Sequence, residues 1–145
     1  MSIADIQAGN LHNAIAREGK AIVLIPHSHK DDFISYVRAF NQIVKTELKV
    51  SDPGVEIRIE ACKQPEYIID EYTQCDLVEA LYACPHGVLA MAQDIENFVE
   101  TSTNLASVKM DSNKIVVMTS QRSSVESKKE EACNMVAGFF FFTFD

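Results

Sequence analysis

A chain of 145 residues with 47% hydrophobic side chains, 5 glycines and 4 prolines has the size and composition of one globular domain with a core. Its formal charge of −8 is concentrated in residues 51–100, and with no basic stripe to displace counterions from phosphates, nucleic-acid binding is excluded. No run approaches the roughly 18 apolar residues of a membrane span, and the opening MSIADIQAG lacks the basic start and apolar middle of a signal peptide, so a cytoplasmic protein with no membrane partner is expected.

SIADIQ reads as a short first strand. GNLHNAIARE (9–18) then crowds two amides, a histidine, an arginine and a glutamate behind a single glycine, without the glycine spacing that cradles a phosphate. KAIVLI (20–25) is a continuous apolar run that fits a well-buried strand, and Pro26 ends it. Ser28 and Asp31 have capping-box spacing, and Phe33, Val37, Phe40 and Val44 continue a helix to about Leu48. SDPG (51–54) is a turn. In VEIRIEA (55–61) apolar and charged residues alternate, predicting a half-buried strand.

Thr73 and Asp76 form a second cap-like pair before Leu77, Val78, Leu81 and Tyr82, and CPHG (84–87) closes that helix. VETSTNLASVKM (99–110) and KIVVMTS (114–120) flank the turn cluster DSN as a hairpin. Ser123 and Glu126 make an S-x-x-E box for a last helix, whose Val125, Ala132, Met135, Val136 and Phe139 face inward, opposite Lys128 to Glu131. This order predicts an α+β, two-layer ferredoxin-like sandwich with a mostly antiparallel sheet, helices on one face, and no strand after the last helix. The whole chain, 1–145, reads as one domain.

Chemistry-bearing residues are sparse. Cys62, Cys75, Cys84 and Cys133 contain no C-x-x-C pair, so no dithiol or metal clasp is expected. His27 and His29 lie at a strand-to-helix junction without an evident third ligand, and His86 sits in a helix-ending turn. Asp31-Asp32 and Glu130-Glu131 fall on solvated helix positions. His12 and Asn13 in the polar loop, with Arg17 and Arg122 near loop or strand ends, are better placed to grip a carboxylate; Asn13 satisfying its own turn and Arg122 pairing with a nearby acid is the bland alternative.

Four segments carry a resemblance: N-A-I-x-R-E at Asn13–Glu18, P-x-G-V at Pro85–Val88, V-E-T-S-x-N at Val99–Asn104, and R-S at Arg122–Ser123. In order and spacing they resemble the middle of the bacterial aminoacyl-histidine dipeptidases, the Xaa-His dipeptidases or carnosinase-type metallopeptidases. The resemblance implies a ferredoxin-like lid and dimerisation domain of a two-domain enzyme. Two zinc ions would be held by a separate catalytic domain, so this chain would hold no metal and no catalytic residue. Its partners would be that catalytic domain, a dipeptide substrate, and a second copy in a homodimer.

The resemblance further maps substrate contacts onto Asn13 and Arg122, with His12, Arg17, Thr101 and Asn104 in support. His12 and Ala16 stand where that family usually has Arg and Pro, and the ending GFFFFTFD departs from its helix-to-strand passage. Element order alone equally permits a stand-alone module that binds a small metabolite, or a structural dimerisation unit.

Overall fold

The computed structural model describes residues 1–111 and 114–141. Strand β1 (Ser2–Ala8) and β2 (Gly19–Leu24) are followed by a 3-10 turn (His27–His29), α1 (Lys30–Glu47), α2 (Glu71–Ala83), β3 (Gly87–Met91), β4 (Val99–Asp111), β5 (Lys114–Ser123) and α3 (Glu126–Phe141). The long strand β4 organises the sheet. It pairs with β5 from Thr101–Ser123 to Asp111–Lys114 on one edge. Its other edge is shared end to end: β3 pairs with Val99 to Thr103, and β1 only with Val108 and Lys109. β2 flanks β1, and every pairing is antiparallel. The expected α+β architecture is present, as a five-stranded antiparallel sheet with three helices.

The core lies where α2 and α3 meet the sheet. Leu77 and Ala80 of α2, Ala132 and Val136 of α3, Ile3 of β1, and Ala106 and Val108 of β4 are buried. On β4 the buried apolar residues Ala106 and Val108 have the opposite parity to the buried Thr101 and Thr103, and Ser107 between them is buried as well. A break in the β4–β5 register between Leu105 and Ser107 explains the change of parity, because one extra residue in a strand turns every later side chain to the opposite face. The bulge lets one strand serve the core at both ends.

Several expectations are corrected. Residues 55–61 form no strand: no described strand pairs with them, and α1 meets them through Asn41, whose Oδ1 accepts the Ile57 N–H, and Lys45, which pairs with Glu56. Gly87, read as the end of the helix-closing turn CPHG, instead opens strand β3, whose remaining residues Val88–Met91 the sequence reading assigned to no element. Helix α1 lies off the sheet, buries no residue fully and touches only the 3-10 turn among the other elements, so only α2 and α3 cover the sheet.

None of the three cap pairs acts as read. Ser28 makes no cap bond. The cap of α2 is Asp70, which accepts the Thr73 N–H at 3.0 Å and its hydroxyl at 2.6 Å, three positions before the expected pair. Ser123 remains in β5, where its hydroxyl accepts the Val125 N–H and meets that of Thr101 at 2.9 Å. On α3, Ala132 and Val136 are buried as expected, whereas Val125 and Met135 are exposed. Residues 112–113 of the DSN turn and 142–145 of the aromatic tail lie outside the described residues.

Candidate functional site

Between its β3-paired and β1-paired ends, β4 has a stretch, Asn104 to Ser107, whose outer edge meets no strand. Backbone groups at such a gap need other partners. His86 supplies one, and the loop 9–18 is tied to the same stretch through the Asn104 side chain. The Leu105 N–H donates to His86 Nδ1 at 3.1 Å, and Asn104 Nδ2 donates to the Ala14 carbonyl at 2.8 Å.

The loop is closed at its base by Gly9 N–H donating to the Glu18 carbonyl at 2.9 Å. Gly9 sits at φ +65, and a Cβ there would run into the Ala106 carbonyl, so only glycine lets the loop leave β1 this close to β4. At the tip, Arg122 Nη2 donates to the Asn13 carbonyl at 3.4 Å, a long bond. Asn13 therefore faces the end of β5 because three anchors hold its loop there.

These residues line a cavity of about 320 Å³. Asn13, His86, Ser102, Asn104, Ser120 and Arg122 give it polar groups, while Ile15, Val88 and Val99 make it partly apolar. Arg122 is the one charged residue in the described wall, so a single fixed positive charge stands among neutral donors and acceptors. A planar guanidinium in that setting suits a carboxylate.

Two further groups give the wall a direction. Asn104 spends its amide N–H on Ala14, which orients its Oδ1 as an acceptor; that oxygen is buried with no hydrogen-bond partner among the described residues. His86 spends Nδ1 as an acceptor, so its neutral ring carries the proton on Nε2 as the free donor.

Among the residues singled out in the sequence, Asn13, Asn104 and Arg122 come together here. His12 is exposed next to Asn13 and does not line the cavity. Arg17 points away and pairs with Asp52 at 3.5 Å, and Thr101 is buried beneath the sheet against Ser123. Sequence reasoning passed over His86, Ser102 and Ser120. His86 enters the site only through the pairing of β3 with β4, which the missed strand concealed.

Among the described residues no group of three or more His, Cys, Asp or Glu could hold a metal ion. The triplet His29-Lys30-Asp31 has H-x-D spacing but lies exposed at the start of α1. No described helix is long and apolar enough to cross a membrane.

The chain is similar to the cytosol non-specific dipeptidase of Escherichia coli (strain K12), at 25% identity over 136 residues, covering 94% of this chain and 28% of that one. It is also similar in structure to the aminoacylhistidine dipeptidase of Vibrio alginolyticus, with a TM-score of 0.92 and 26% identity over 98% of this chain and 29% of that one. No protein-family model matches. The chain thus spans less than a third of the length of the dipeptidases it matches, and its resemblance to part of an aminoacyl-histidine dipeptidase holds in both sequence and structure.

Proposed function

We propose that this chain is the lid and dimerisation domain of a cytoplasmic, dinuclear zinc dipeptidase acting on Xaa-His and other dipeptides. The observation that carries the reading is the cavity in which Arg122 stands as the one charged wall residue beside Asn13. A dipeptide ends in a free carboxylate one residue from the scissile bond, so a clamp for that group positions the bond as well. Arg122 takes the carboxylate through two charge-assisted hydrogen bonds, the Asn13 amide holds the neighbouring backbone oxygen, and the His86 Nε2–H is a further donor. The free Asn104 Oδ1 accepts an N–H of the substrate.

Among the described residues no set fits a zinc centre, so in this reading the activated water and its general base come from a separate catalytic domain. By itself the chain binds and orients; it turns over no dipeptide. An assay with added zinc, cobalt or manganese checks this, and turnover that survives repurification and is lost on mutating this chain's residues would overturn it.

Kinetics test the clamp. With this chain grafted in place of the matching segment of the E. coli dipeptidase, Arg122→Lys should lower kcat/KM for a free-acid dipeptide by the equivalent of about 2 to 4 kcal/mol. The loss should be far smaller for the C-terminal amide. Equal losses on both substrates would reduce Arg122 to a brace of the fold.

A further inference from the structure

The sheet has a second opening, at the far end of β4. β1 pairs with β4 only through Gln7 and Ala8, so the earlier residues of β1 meet no partner on β4, and the β4–β5 hairpin runs on past them to Asp111 and Lys114. A notch results. Segment 65–70 closes one side of it, held to β1 by the Ile69 N–H donating to the Ile3 carbonyl at 3.0 Å, and Leu77 of α2 stands in its floor. The notch is a cavity of about 1500 Å³, against about 320 Å³ for the one at Arg122, and the two share no lining residue.

Its lining sorts by exposure. The half-buried Ile69, Met110, Ile115, Val117 and Phe140 make the interior apolar, whereas Glu66, Asp70, Asp111 and Lys114 are exposed at its mouth. With the half-buried Asp5, four carboxylates stand against one ammonium. Asp5, Glu66 and Asp70 have no lysine or arginine partner among the described residues: Asp5 accepts the Gln7 amide at 3.0 Å, and Asp70 is held by Thr73. The mouth is apolar as well as acidic, because Tyr67 and Ile68 beside these acids are 82% and 50% exposed.

We propose that this cavity takes an extended peptide segment of another protein in which lysine or arginine alternates with apolar residues. Size favours a peptide, since small-ligand sites run to roughly 300 to 1,000 Å³ and this cavity exceeds them. Alternation suits the sorting of its walls. Apolar side chains of the segment leave water for the interior, and the cationic ones between them stay at the mouth against Asp5, Glu66 and Asp70. Contacts between exposed charges are individually weak, so the apolar side chains carry most of the affinity and the charges select the sign of the partner. An acidic segment of equal apolar content meets like charge on entry. The site stands or falls independently of the carboxylate clamp at Arg122.

Fluorescence anisotropy with the whole chain and three labelled, amidated hexapeptides tests it: one alternating Lys and Leu, one alternating Glu and Leu, and one alternating Lys and Gly. The Lys-Leu peptide binds saturably, with a Kd on the order of 10 to 100 μM at low salt, and the other two bind at least tenfold more weakly. Glu66→Lys and Ile68→Asp, both at exposed positions, each weaken the Lys-Leu peptide at least fivefold, while Glu47→Lys on α1, the same charge change away from the cavity, stays within about twofold of native. Circular dichroism checks that each variant is folded. No saturable binding of the Lys-Leu peptide, equal binding of the Glu-Leu or Lys-Gly peptide, an undiminished Glu66→Lys or Ile68→Asp variant, or a loss in Glu47→Lys equal to that in Glu66→Lys would each overturn the proposal.

Discussion

Asn104 on β4 donates its side-chain amide to the carbonyl of Ala14, 90 positions earlier in the chain, at 2.8 Å. One hydrogen bond thus ties the middle of the sheet to the loop that presents Asn13. Asn104→Ala leaves the Ala14 carbonyl without its donor but also removes the buried, partnerless Oδ1. The expected net loss is about 1 to 2 kcal/mol in urea unfolding, with faster amide exchange confined to residues 9–18. Uniform exchange across the sheet would show that the bond does not hold the loop locally.

Gly9 is the hinge of the same loop. Alanine there combines a left-handed φ with a collision against the Ala106 carbonyl, so Gly9→Ala should cost about 2 kcal/mol or more. Gly19→Ala is the comparison, since Gly19 carries no positive φ and would meet only the Ala8 side chain. If both substitutions cost the same, the backbone argument at Gly9 fails.

Leu77 is fully buried between α2, α3 and the sheet. Leu77→Ala should destabilise by about 2 to 5 kcal/mol through lost burial and a cavity. The exposed Val78 beside it, truncated to alanine, should cost under about 0.5 kcal/mol.

Asp70 supplies a pH dependence with a definite sign. The hydrogen bond from Thr73 holds its carboxyl below the usual aspartate range. A carboxylate with a depressed folded-state pKa contributes stability above its unfolded value, and loses it as pH falls through the folded one. Asp70→Asn keeps an acceptor at the cap but cannot titrate. The native chain should therefore be the more stable at neutral pH, and its advantage should shrink as pH drops below about 4. An advantage that grows with acidity would contradict the cap's role.

Legibility in the sequence followed the reach of each signal. The β4–β5 hairpin was readable because period-two alternation flanks a turn cluster, all within neighbouring residues. Residues 55–61 carry the same alternation, but alternation specifies two faces and not a partner, and here no described strand lies beside them while Asn41 of α1 takes the Ile57 N–H. β3 is five residues of nearly uniform apolarity behind Pro85, a pattern shared by strands and helix ends alike. The cap of α2 was misplaced because S/T-x-x-D/E spacing recurs wherever polar residues are dense, and only the true first turn shows which pair is used.

In the site, Asn13 and Arg122 were picked out by their chemistry and their loop or strand-end positions and joined as substrate contacts by family resemblance, and their meeting depends on a contact 109 positions apart. Nothing local to CPHG reports that β3 will lay His86 against Leu105. The β4 edge gap that makes the cavity is a property of topology, and no window of sequence contains it.

The central claim, that the cavity grips a carboxylate through Arg122, is most directly measured by NMR titration of the 15N-labelled chain with Gly-His and with its C-terminal amide. The account predicts saturable shifts of the Arg122 Nε–H and the Asn13 side-chain amide with the free acid, at a Kd on the order of 1 to 10 mM, and none with the amide or in Arg122→Ala. Equal shifts with acid and amide, or the absence of any saturable shift with the free acid, would contradict it.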